Sequence, residues 1–346
     1  MKKWTGALQV AAVYVGTVIG AGFATGREIV EFFTQYEFWG LISILLAGYL
    51  FVFLGSKIMI KAIDIQASSF EEFNEYLFGK LFSKVMNIFT MIMLIGVCAV
   101  MLSGAEALFT EQLRFSHTIG SVITIALALV VMAVGVKGLF AVNTFVVPML
   151  IFFNLILLIR SFESEHLFIS LLNIPEGFIS IKAIVAAFSY AAFNLALAQA
   201  VLVPIAVEIN EKSIVKLGGF VGGVILTIIL ISSHIILTSI PNPILFDIPM
   251  AVIVKGAASG IYFIYLFIIY GEIFTSLIGN MYGLERQIHR YLDIKSFWIH
   301  GCIIFIVYVI SRVDYGKLLG ILYPFFGYIS LLFLLILWMK PISKNE

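Results

Sequence analysis

Ten separate stretches of this 346-residue chain are predominantly apolar. A helix crosses a hydrocarbon layer of about 30 Å with roughly 20 such residues at about 1.5 Å rise each. The stretches run approximately over residues 5–33, 39–60, 85–109, 118–136, 139–159, 181–207, 217–240, 258–282, 297–310 and 318–339, the ninth being the shortest. They predict an all-α integral membrane protein of ten transmembrane helices forming a single bilayer-embedded domain. Composition agrees: only 12% of the residues are charged and 62% are hydrophobic, against about 25% charged in soluble domains. A water-soluble fold is excluded.

The formal charge of +1 implies no nucleic-acid partner. Cys98 and Cys302 both lie in apolar runs, where a small buried side chain accounts for them and no disulfide or metal site is implied. A signal peptide ending near Ala21–Ala24 is disfavoured, because the opening run continues past any such cleavage site. Placing the N-terminus in the cytoplasm puts 14 of the 21 Lys and Arg residues inside, among them Lys2, Lys57, Lys61, Lys137, Lys212, Lys216 and Lys344. Positive charge is retained on that side, so both termini are predicted cytoplasmic in a plasma membrane.

No loop is long enough for a separate catalytic domain. Between Lys61 and Lys84, Phe70, Phe73, Leu77 and Leu81 recur at helical spacing among Glu71, Glu72 and Glu75, the pattern of an amphipathic helix on the cytoplasmic face. The external segment from Pro241 to Lys255 reads equally as a re-entrant cap or external gate and as a plain surface loop.

Shifting the first five runs by 173 residues, half the chain, carries residues 85–109 onto 258–282 and brings the others near their counterparts. Five crossings per half make the second half run in the opposite sense, an inverted repeat over approximately 1–173 and 174–346. Secondary transporters are built this way, with substrate and ions at the midplane. The first run holds Gly16, Gly20, Gly22 and Gly26; the same shift takes its limits to Ser189 and Gln199, which bracket Tyr190 and Asn194 in the sixth run. Each glycine costs about 1 kcal/mol against alanine in a helix, so this cluster is where a helix opens and frees backbone groups. Breaks are therefore predicted in helices 1 and 6, and Tyr190, Asn194 and Gln199 read either as substrate contacts or as partners in hydrogen bonds between helices.

In the eighth run Glu272, Thr275 and Ser276 share one helix face. Two readings of the hydroxyls are open: ligands for a sodium ion, or bonds back to their own helix. A carboxylate near the bilayer centre costs at least about 2.5 kcal/mol, which makes Glu272 a candidate ion ligand, proton carrier or counter-charge. Arg27, Glu28 and Glu106 are candidates for an external gate, and Glu208 for an internal one. His234 reads as a packing residue.

The glycine-rich first run and the hydroxyl pair of the eighth resemble the LeuT-fold transporters of the amino acid–polyamine–organocation superfamily, and within it the YkvI-like group of bacterial membrane proteins. The resemblance implies a sodium site from the carbonyls of Gly16, Ile19 and Glu272 with the hydroxyls of Thr275 and Ser276. It implies a substrate carboxylate at Gly20–Ala21–Gly22. The commonly small position before the hydroxyl pair is Glu272 here, which keeps proton coupling open. The function predicted is sodium-coupled symport of an amino acid or similar small zwitterion by alternating access. The alternatives are proton coupling through Glu272 and a non-transporting ligand sensor. No HExxH, GxSxG or Walker motif is present, so no enzyme is predicted. No cofactor is expected beyond sodium as coupling ion, and the partners are the lipid bilayer and a small-molecule substrate.

Overall fold

The computed structural model describes residues 3–134, 137–164, 167, 171, 173–174, 179–257 and 259–341. Lys2 and Lys344 of the charge count, and Val136 and Ala258 at the ends of two apolar runs, lie outside them. Every regular element among the described residues is helical. The first run is divided into α1 (Lys3–Val18), α2 (Ala21–Thr25) and α3 (Arg27–Phe32). The second is α4 (Phe38–Leu50) and α5 (Ser56–Ile65), joined by a π-helical turn, and the third is α6 (Phe70–Ala107). There follow α7 (His117–Val134), α8 (Lys137–Ser161), α9 (Ile179–Ile209), α10 (Lys212–Thr238), a short α11 (Pro249–Ala257), α12 (Tyr262–Tyr291), α13 (Ser296–Ser311) and α14 (Tyr315–Met339).

Among the described residues six helical stretches are long and apolar enough to cross a membrane, with shorter apolar helices at His117–Met132, Pro148–Ser161 and Ser296–Ser311. Large apolar side chains face outward, Phe263 at 71%, Phe305 at 69% and Met339 at 73% exposure. Such an exterior suits a hydrocarbon solvent, in which helices satisfy their own backbone groups.

The break in the first run falls at Ile19 and Gly20, and a second corner at Gly26, whose φ of +82° is open to glycine with little strain. The sixth run is different. α9 is one unbroken helix, which corrects the expectation of a broken helix 6. Ala191, Ala192, Ala196, Ala198 and Ala200 interleave its polar residues, and alanine is the best helix former. Asn194 donates to the Tyr190 carbonyl one turn back at 3.0 Å, so its amide is partly satisfied within the helix.

Close backbone approach fixes the frame around α1. A methyl on Gly223 of α10 would lie 2.7 Å from the Val52 nitrogen in the π-helical turn. That turn packs beside α1, where the Tyr14 hydroxyl donates to the Phe51 carbonyl at 2.9 Å.

The amphipathic stretch forms the start of α6 and bends into the rest at Gly79, φ +76°. Phe73 and Leu77 are buried, and Phe78 stacks on Phe333 of α14 with ring centroids 6.5 Å apart. Of its apolar stripe Phe70, Phe73 and Leu77 are covered by protein, and Leu81, past the bend, is exposed. The 241–255 segment is a cap: Ile248, Ala251 and Val254 are fully buried. At the opposite end Asp64 of α5 ties to Lys61 at 2.9 Å and to Lys212 of α10 at 2.8 Å.

Candidate functional site

Helix α1 stops because Gly20 is extended, φ −130° and ψ −172°. The Gly20 carbonyl starts the next helix by accepting from Phe23 and Ala24, each at 3.0 Å. No backbone N–H among the described residues reaches the Gly16 or Ile19 carbonyl. These oxygens form the negative end of the α1 dipole and attract a cation.

Helix α12 runs beside this break. A methyl on Gly20 would lie 3.9 Å from the Ser276 hydroxyl oxygen. Ser276 is half-buried and Thr275 fully buried, and the Thr275 hydroxyl donates to the Glu272 carbonyl at 3.3 Å. The structure thus places Ser276 at the break, while Thr275 bonds back to its own helix through the carbonyl it was expected to join as a co-ligand. The Glu272 side chain is 2% exposed, and its Oε2 has no hydrogen-bond partner.

On the other side of α2, Glu28 turns its carboxyl back over Gly22, where an added methyl would collide with Oε2. The Tyr190 hydroxyl and the Asn194 amide of α9 face this carboxyl. Neither Glu28 Oε1 nor the Tyr190 hydroxyl completes a hydrogen bond. Phe32, Phe33 and Phe51 clamp the Tyr190 ring, with centroids 5.1, 4.9 and 5.8 Å away, so the hydroxyl is held in place. Gln199 is nine residues beyond Tyr190. At about 100° per residue that is the opposite face of α9, so it does not join this group.

The three charges of the expected gate are not brought together. Arg27 turns away from Glu28 and donates through Nη1 to the carbonyls of Ile244 and of Phe246, the latter at 3.0 Å. Glu106 faces the Ser311 hydroxyl of α13 at 3.5 Å. Two acids that sequence reasoning missed complete the attachment of the cap. Asp247 accepts from the Gly316 N–H at 3.0 Å, and Glu111 accepts from the Ile248 N–H at 3.0 Å. Asp247 could have been found as the one acid in a largely apolar segment, whereas Glu111 reaches the cap only through tertiary packing. Glu208 is exposed, and the inner tie is Lys61–Asp64–Lys212. His234 is buried and packs on Thr34, Nδ1 to Oγ1 3.2 Å.

Helix α2 is further held by Tyr315, whose hydroxyl meets Thr25 Oγ1 at 2.8 Å, and by Tyr265, which donates to the Ala24 carbonyl at 3.4 Å. A cavity of about 10 Å³ lies between Ile19, Phe23, Ala24, Asn154, Met250 and Tyr265. It has the size that one water fills. Asn154, a buried amide on α8, donates to the Ser233 hydroxyl at 2.6 Å and accepts from Ser232.

An interrupted helix packed among apolar helices, with the buried carboxyls of Glu28 and Glu272 on either side of it, belongs to a multi-pass membrane protein. A crystal structure of an Eremococcus coleocola manganese transporter mutant matches it with a TM-score of 0.63 at 13% identity, over 97% of this chain and 78% of that one. The same transporter in complex with an aromatic bis-isothiourea substituted compound matches with a TM-score of 0.57 at 15% identity, over 95% and 76%. The chain belongs to the YkvI family of membrane proteins: it is 48% identical to the uncharacterized membrane protein YkvI of Bacillus subtilis over 341 residues, 98% of this chain and 97% of the relative. The uncharacterized protein YyaD of the same organism is 22% identical over 346 residues. No protein-family model matches.

Proposed function

We propose that this protein is a secondary transporter working by alternating access, with ten membrane crossings in two inverted repeats and both termini in the cytoplasm. It carries a small organic substrate, an amino acid or a similar zwitterion, together with sodium. The observation that carries the reading is the break at Ile19–Gly20 with Ser276 beside it, in a fold shared with membrane transporters. Free carbonyls of Gly16 and Ile19, the Glu272 carbonyl and the hydroxyls of Thr275 and Ser276 are the hard oxygen donors that suit sodium. Among the described residues no group of three His, Cys, Asp or Glu converges as a metal site. An organic substrate is therefore preferred here to the manganese carried by the structural neighbour.

Proton coupling through Glu272 is the second reading, and a specific observation favours it. The carboxyl is buried with Oε2 unpartnered, while the Thr275 hydroxyl is engaged by its own helix. Uptake into liposomes holding the purified protein, with a sodium or a proton gradient imposed separately, decides between them. Sodium-driven accumulation lost in Thr275→Ala with Ser276→Ala supports the first reading. Proton-driven accumulation abolished by Glu272→Gln supports the second, and accumulation under neither gradient removes the transporter reading.

A further inference from the structure

We propose that the substrate enters this site amine first: its ammonium group is held by the Glu28 carboxylate, the Tyr190 hydroxyl and the Asn194 side chain over Gly22. The proposal rests on the transporter reading and narrows its substrate to compounds bearing a free amine, with no carboxylate required.

Position comes first. The Glu28 carboxyl lies against Gly22 so closely that a methyl there would overlap it. It therefore occupies the front of the Gly20–Gly22 turn, the place that the resemblance to LeuT-fold carriers implies for a substrate carboxylate. A second carboxylate brought there would meet a like charge at short range in a medium of low dielectric, an arrangement that costs several kcal/mol. An ammonium brought there meets an opposite one.

Polar satisfaction points the same way. Glu28 is 4% exposed and Tyr190 fully buried, and each keeps an oxygen without a hydrogen-bond partner. A carboxylate and a phenol oxygen both accept, and a primary ammonium offers three donors. Buried polar atoms ordinarily have partners, and a ligand is one source of them.

Charge balance is the third consideration. Arg27, the neighbouring cation on α3, spends its Nη1 on the cap carbonyls. Glu31, on the same helix, is another acid, lying near Gly320 of α14. Helix α9 presents Tyr190 and Asn194 to Glu28, and α14 presents Tyr315 and Tyr323, all uncharged. No Lys, Arg or His faces the Glu28 carboxyl among the described residues. A buried carboxylate without a counter-charge is costly, and a cationic ligand removes that cost on binding.

The test is binding of n-butylamine, butyrate and norvaline to the purified full-length protein, read by titration calorimetry in saturating sodium. n-Butylamine and norvaline are expected to bind and butyrate is not. Glu28→Gln is expected to weaken n-butylamine at least tenfold. Tyr190→Phe, which removes one oxygen and keeps the clamped ring, is expected to weaken it several-fold, and it carries the test if Glu28→Gln fails to fold. Butyrate binding as tightly as n-butylamine overturns the proposal, as does n-butylamine failing to bind or binding both variants with wild-type affinity. Uptake assays on the same preparations separate the two readings. Amine binding that depends on Glu28 without gradient-driven uptake sinks the transporter reading and upholds the site. Uptake of norvaline unaffected by Glu28→Gln upholds the transporter reading and sinks the site.

Discussion

The four glycines of the first run look alike in the sequence, and substituting each by alanine separates what they do. If helix propensity alone acted, every Gly→Ala change would stabilise the protein by up to about 1 kcal/mol. The surroundings differ instead. Gly16 lies inside α1 with nothing within 4 Å of an added methyl, so Gly16→Ala is expected to keep that gain. Gly26 has φ +82°, and a methyl there would sit 2.7 Å from Met250 Cγ and 3.1 Å from Leu237 Cδ2. The left-handed backbone costs an alanine about 1–2 kcal/mol, and crowding a packed site about 1–3 kcal/mol more. Gly26→Ala is thus expected to lose roughly 2–5 kcal/mol. Gly22→Ala meets the movable end of Glu28, so it is expected to cost less than Gly26→Ala and to displace the carboxyl, weakening n-butylamine more than tenfold. Thermal unfolding in one detergent checks the order: Gly16→Ala at or above wild type, Gly22→Ala below it and Gly26→Ala lowest. Equal shifts for Gly16→Ala and Gly26→Ala, or a Gly26→Ala melt at the wild-type temperature, would refute the reasoning.

In the same melts Gly223→Ala, whose methyl meets the Val52 backbone, is expected to destabilise by about 1–3 kcal/mol, whereas Gly279→Ala, with open space around it, is not; coincident curves would mean that α10 does not press on the π-helical turn. Arg27→Gln removes charged hydrogen bonds to the cap, each worth about 1.5–3 kcal/mol. Limited proteolysis is expected to cut within residues 243–257 several-fold faster, and an unchanged rate would show that the guanidinium does not hold the cap.

Much of the fold was legible because the signals are local. Apolar runs of membrane length must be helical, since lipid leaves the backbone no other partner, and the described residues of these runs lie mainly on helices. The glycine cluster marked the true break because glycine acts on its own backbone. The matching break in the sixth run failed for the same local reason: Tyr190, Asn194 and Gln199 were read as an interruption, yet the alanines between them keep α9 whole. Polarity marks a site without opening a helix.

Which groups share the site could be decided only by tertiary packing. Arg27 and Glu28 are adjacent in sequence and were grouped in one gate, but successive residues leave a helix about 100° apart. One meets the cap carbonyls of Ile244 and Phe246, the other Gly22 and Tyr190. Asp247 and Glu111 became ties of the cap because the π-helical turn after α6 (Leu108–Gln112), α14 and the 243–248 turn meet there. The sequence by itself determined the membrane solvent, the helices and the place where the first one opens, because each depends on neighbours along the chain. The tertiary structure alone turned Glu28 inward over the break and Arg27 outward to the cap, because a side chain's partner is set by the helix packed against it.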